Sequence, residues 1–334
     1  MAYAPRWILR RALAAGGLLL SLAQAASAAG PEVVVTLKPL HGLVAAVMEG
    51  VGTPQLLLDG ATSPHTYAMR PSDVRRLNKA TIVVRVSRRL EVFLDKPLSL
   101  MAKARIVTAD EIGGITLYEA RRTGDFEAHA HHEDGQKGHD HVHRGTHAHT
   151  GKAEHRGQAD DAIDPHIWLD PRNAKAIALR LSEVLAEADP AGASRLRDNG
   201  RRLAARLEAL DAKLEAELAA VRDRPFLVFH DGYQYLERRY GLAGAGSVTV
   251  NPEVPPSARR LSEIRGRIKE RGIVCVFAEP QFAPRVIATI TEATSARQAT
   301  LDPLGAAIPA GPGHYFALMD GLARDLKGCL AGPR

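Results

Sequence analysis

The chain has 334 residues, 45% apolar and 25% charged, enough for two domains with cores of their own. Aromatic residues make up only 5%, which speaks against a sugar or peptide groove lined with rings. The formal charge of +6 is spread along the chain and forms no basic stripe of the kind nucleic-acid binding needs.

The amino terminus reads as an export signal over residues 1–28. Arg6, Arg10 and Arg11 form a basic start, residues 12–23 an apolar run, and small residues around Ala25 and Ala28 a cleavage site. The apolar run is short for a membrane span, which takes ~20 residues. Cleavage removes three arginines and no acid, leaving a formal charge of +3. The mature protein is expected to be periplasmic, without a lipid-anchor cysteine or a further membrane-spanning run.

Short strands are expected at residues 32–37, 55–58, 81–86 and 104–108, with helices at 39–49 and 71–79 between them. Strands alternating with helices signal parallel βα units rather than hairpins. Residues 120–161 break the pattern with Gly, His and charge, and read as a loop without periodicity. A helix is expected at 171–188 and a second, long one at 191–221. Leu203, Leu207, Leu210, Leu214 and Leu218 recur there at steps of three and four. Alternation resumes with strands at 226–229, 247–250, 273–277 and 299–301, and helices ending at 240 and covering 257–271, 284–294 and 314–326. The expected fold is α/β: two parallel-sheet lobes, 29–190 and 222–334, joined by one long rigid helix, 191–221.

Two cysteines, Cys275 and Cys329, are present. An exported chain permits a disulfide between them, which would tie down the last helix and contribute ~3–4 kcal/mol on the chain-entropy argument. Zinc ligation by the pair is the rival reading.

The fourteen histidines fall into two classes. His129, His131, His132, His139, His141, His143, His147, His149 and His155 crowd the loop, as in solvated metal-binding tracts. Such a tract is expected to bind several ions weakly, because ordering it costs entropy. The others are sparse. His65 follows a strand, His166 precedes a helix, and His230 and Asp302 stand at the carboxyl ends of strands, where open parallel sheets bind ligands. Three neutral imidazoles suit Zn²⁺ at ~2.0–2.1 Å, with a carboxylate or water completing a tetrahedron. Each ring also needs an acceptor for its second nitrogen; Asp164, Asp170 and Asp231 are local candidates. His41 and His314 read as ordinary polar residues.

Ser63-Pro-His-Thr-Tyr-Ala-Met-Arg-Pro-Ser-Asp73, Asp164-Pro-His-Ile-Trp-Leu-Asp-Pro171, Phe229-His-Asp-Gly-Tyr233, Phe277-Ala-Glu-Pro-Gln-Phe282 and Leu301-Asp-Pro-Leu-Gly305 occur in that order. Together with the histidine tract and the two late cysteines, they resemble the zinc-uptake members of the metal-receptor family of ABC transporters. The resemblance implies an ion held in the cleft between the lobes by His65, His166 and His230, with Asp302 at the fourth-ligand position. It also implies delivery of Zn²⁺ to a membrane permease, with the ion as cargo rather than cofactor and no catalysis. Some relatives carry an acid just before the first histidine; here Pro64 removes that ligand, leaving Asp302 or water. By the same resemblance the tract implies zinc over manganese, and the softness of imidazole independently agrees.

Other readings are a receptor for manganese or another divalent metal, a metal-dependent adhesin or storage protein, and a zinc hydrolase. The hydrolase would need a general base beside the metal water, for which Glu279 is the tempting residue. It lacks the His-Glu-x-x-His helix of zinc proteases. Nothing in the sequence demands more than a monomer.

Overall fold

The computed structural model describes residues 30–332, apart from 102, 122–123, 125–162, 251, 253 and 283–284. The expected export signal and all nine histidines of the tract lie outside the described residues.

The first half builds one parallel sheet from β1 (Val33–Val35), β2 (Gln55–Leu56), β3 (Ile82–Arg85) and β4 (Arg105–Thr108), in the order β2-β1-β3-β4. Helices α1 (Lys38–Val47), α2 (Pro71–Lys79) and the short α3 (Asp95–Ser99) connect the strands. The central strands β1 and β3 are buried throughout, as expected for parallel strands covered on both faces. Pro71 opens α2 at its first position, where a missing N–H costs nothing. The sequence reading missed α3, whose five residues are too few to show a helical period.

Two long helices follow, α4 (Pro171–Ala188) and α5 (Ala193–Leu218). Asp170 caps α4 by accepting from the Arg172 backbone N–H at 2.8 Å. The leucine stripe of α5 is buried, and a 3-10 turn over Ala219–Val221 extends the helix. The pair packs closely at one point: a Cβ on Gly200 would lie 2.5 Å from Ser182 Cβ. Helix α5 then leads into the second half.

There β5 (Phe226–His230), β6 (Gly244–Thr249), β7 (Cys275–Ala278) and β8 (Arg297–Thr300) repeat the topology, in the order β6-β5-β7-β8 and all parallel. Helices α6 (Gln234–Tyr240), α7 (Ala258–Glu270), α8 (Arg285–Thr291) and α9 (His314–Leu330) complete the lobe. Strand β6 starts three residues before the expected 247, because main-chain pairing to β5 takes in Gly244 and Gly246. Helix α9 runs past 326 and carries Cys329, which is disulfide-bonded to Cys275 on β7. The bridge excludes zinc ligation by this pair.

The fold is therefore two four-stranded parallel lobes linked by a long helix. Among the described residues, no helix is long and apolar enough to cross a membrane.

Candidate metal centre

The topology turns three distant histidines toward one point. His65 sits in the loop between β2 and α2, His166 just ahead of α4, and His230 at the carboxyl end of β5. One ligand atom from each lies within 4.8 Å of the others, and this is the one such group of three among the described residues. The Nε2 atoms of His166 and His230 are 3.2 Å apart. That spacing fits the ~3.3 Å edge of a tetrahedron with bonds of ~2.0–2.1 Å. His65 Nε2 is buried without a hydrogen-bond partner.

Carboxylates behind the rings fix two of them. His166 Nδ1 meets Asp164 Oδ1 at 2.7 Å, and the same oxygen accepts from the His166 backbone N–H at 3.0 Å. His230 Nδ1 meets Glu279 Oε1 at 2.6 Å. With Nδ1 donating to each acid, Nε2 keeps its lone pair for a metal. Asp164 and Glu279 are each 3% exposed, so both contacts are shielded from water. Glu279 thereby orients His230 through Oε1.

Two of the rings are shifted in opposite directions, His65 downward and His230 upward. His65 is held well below the ordinary imidazole pKa by burial and by the neighbouring His166, His230 and Arg89. His230 is also depressed by burial, but the charge and hydrogen bond of Glu279 outweigh this and raise it. Soft, neutral nitrogen donors in a shielded pocket suit zinc and its neighbours among the transition metals better than the hard ions Mg²⁺ or Ca²⁺.

Of the three acids offered in the sequence as ring partners, Asp164 alone reaches a ring of the cluster. Asp170 caps α4, and Asp231 pairs with Arg121 at 2.8 Å. Asp302 lies outside the three-residue group. Its Oδ1 accepts from Gln281 Nε2 at 2.8 Å and the Leu304 N–H at 3.1 Å; its Oδ2 accepts from the Ala306 N–H at 2.5 Å. His41 and His314 are buried elsewhere, against the carbonyls of Pro54 and Gly305 at 3.0 and 3.3 Å. Glu279 was missed as a ring partner. The signal that finds it is the pairing of β5 with β7, which sets the strand ends carrying His230 and Glu279 side by side.

One face of the cluster is lined by Pro64, Trp168, Phe282 and Leu304. The other borders a chamber of about 250 Å³ that Arg89 and Arg121 also line. Trp168 is fixed by donating from Nε1 to the Pro303 carbonyl at 2.8 Å.

The family described as "Zinc-uptake complex component A periplasmic" matches residues 33–329. The high-affinity zinc uptake system protein ZnuA of Brucella suis biovar 1 (strain 1330) is 42% identical over 308 residues, covering 90% of this chain and 91% of that protein. Its Yersinia pestis counterpart is 36% identical over 330 residues, covering 99% and 100%. A crystal structure of ZnuA superposes with a TM-score of 0.72 at 24% identity, over 90% of this chain and 99% of that one, and supports the fold. The chain belongs to the family of periplasmic A components of zinc-uptake complexes.

Proposed function

We propose that the protein captures Zn²⁺ in the periplasm and delivers it to the permease of a zinc-uptake ABC transporter. It binds and releases the ion and catalyses no reaction, as family membership implies. The observation that carries this reading is the convergence of His65, His166 and His230 from three separate segments, with two rings oriented by buried carboxylates.

In this reading His65, His166 and His230 ligate the ion. Water from the chamber completes the tetrahedron, because Asp302 lies outside the group of three histidines. Residues 1–28 are removed as an export signal, lobes span 29–190 and 222–334, and the helix 191–221 sets their spacing. The mature protein acts as a monomer without a membrane anchor. The histidine tract gathers zinc when it is scarce and passes it to the cleft.

Competitive zinc titration of the mature protein tests this beside two variants, a deletion of residues 128–156 and a His65→Ala, His166→Ala, His230→Ala triple substitution. One tight zinc should survive the deletion and vanish in the triple variant. Tight binding that follows the tract and ignores the three histidines would replace the receptor reading with zinc buffering or storage. Unchanged uptake in scarce zinc after the deletion would remove the gathering role.

A further inference from the structure

After β4 the chain leaves the first lobe and fastens onto the second before reaching the metal centre. The Tyr118 N–H donates to Tyr235 Oη on α6 at 3.1 Å, and Tyr235 Oη donates to the Asp164 carbonyl at 2.9 Å. The Tyr118 carbonyl accepts from the Asp164 N–H at 2.9 Å. Three residues on, the Arg121 guanidinium forks: it reaches Asp231 Oδ1 at 2.8 Å and Glu237 Oε2 at 2.6 Å. The side chains of these acids are only 5% and 1% exposed. The Gly124 carbonyl then accepts from the Ser247 N–H of β6 at 2.9 Å.

Every partner of Arg121 and Gly124 named here belongs to the second lobe, and each end of the segment adjoins a histidine of the site. Asp231 follows His230 directly. Asp164 holds His166 Nδ1 and is itself hydrogen-bonded through its main chain to Tyr118. A buried ion pair contributes little net stability compared with a hydrophobic replacement, and its best-attested use is to fix register. A planar guanidinium suits that use, because its donors reach two carboxylates in a set geometry.

We propose that Arg121 is a positioning residue of the metal centre, whose ion pairs with Asp231 and Glu237 clasp the segment after β4 to the second lobe and slow release of the ion. Ala120 and Arg121 line the chamber onto which the three histidines open, so the clasp stands on the ion's way out. An ion held by His65, His166 and His230 leaves when their carrying segments part, and the clasp resists that parting. The inference rests on the three histidines being the ligands.

The test is stopped-flow transfer of zinc to an excess of chelator, with association measured separately, for the mature protein, Arg121→Met and Arg121→Lys. A pair that joins the segments carrying the ligands without touching the ion acts on how readily they part, and so on the dissociation rate. Arg121→Met should release zinc about tenfold faster or more while association stays within about twofold. Arg121→Lys, with charge but no fork, should fall between. Release from Arg121→Met at the parental rate overturns the proposal, as does a loss confined to the thermal stability of the zinc-free protein. The double variant Arg121→Met, Glu237→Gln leaves one buried acid fewer unpaired; it should still release quickly, and recovery of slow release would overturn the clasp. The His65→Ala, His166→Ala, His230→Ala variant separates the two readings. If it retains the tight zinc, the ligand assignment has failed; if it loses the zinc and Arg121→Met releases slowly, only the clasp has failed.

Discussion

The Nε2 atoms of His166 and His230 face each other at 3.2 Å while their Nδ1 atoms point away into Asp164 and Glu279. Each acid accepts at Nδ1, which turns both Nε2 atoms toward one point in a shielded pocket. A cation shared by the two nitrogens would find them already oriented, which would lower the ordering cost of binding.

The acids behind the rings should matter almost as much as the rings. Asp164→Asn and Glu279→Gln are each expected to weaken zinc binding by about 10–100-fold without changing the number of ions held in the cleft. Competitive titration with a chromophoric chelator measures this. Parental affinity in both variants would show that the rings need no orienting carboxylate.

The Cys275–Cys329 bridge joins β7 to the last turn of α9 and spans 54 residues. Closing a loop of that size contributes ~4 kcal/mol on the chain-entropy account. Cys275→Ser, Cys329→Ser should lower the thermal midpoint by several degrees and leave tight zinc binding intact. Loss of zinc with an unchanged midpoint would contradict the structural role.

Glu91 is a buried acid accepting from the Val86 and Ser87 N–H groups at 3.0 and 2.8 Å and from Thr36 Oγ1 at 2.5 Å. Burial pushes its pKa up from 4.5 to about 7 against those hydrogen bonds and nearby Arg85. A raised folded-state pKa means that the stability from the protonated form is complete below pH 4.5 and lost as pH rises through about 7. At ~1.4 kcal/mol per unit, the loss is about 3 kcal/mol. Urea midpoints of the parent should fall between pH 5 and 8, and those of Glu91→Gln should fall less. Parallel curves would exclude Glu91 as the source.

The contact of α4 with α5 leaves no room for a side chain at Gly200. Gly200→Val should cost about 1–3 kcal/mol through overpacking against Ser182, in spite of valine's better helix propensity than glycine's. Chemical denaturation checks this, and a stability equal to the parent's would show that the two helices part without strain.

Local periodicity carried much of the architecture. The leucine steps predicted α5, Pro71 marked the start of α2, and the strands of both lobes were legible as short apolar runs. The carboxyl ends of strands located His230, and the ordered motifs around His65 and His166 supplied the resemblance. These signals are local because helical and extended periods repeat every few residues. Boundaries such as the start of β6 were less legible, since pairing to β5 rather than residue preference decides them.

The sequence by itself determined which residue types were available: three sparse imidazoles, acids near two of them, and two cysteines. Tertiary structure alone decided who meets whom. His65, His166 and His230 are separated by more than sixty residues at each step, and no local rule measures that distance. Strand order brought Glu279 behind His230, and the loop after Leu301 turned Asp302 onto Gln281 and its own backbone. The physical reason is that a ligand set is a property of side-chain directions at one point in space. Those directions follow from sheet order and lobe packing, in which every part of the chain takes part at once.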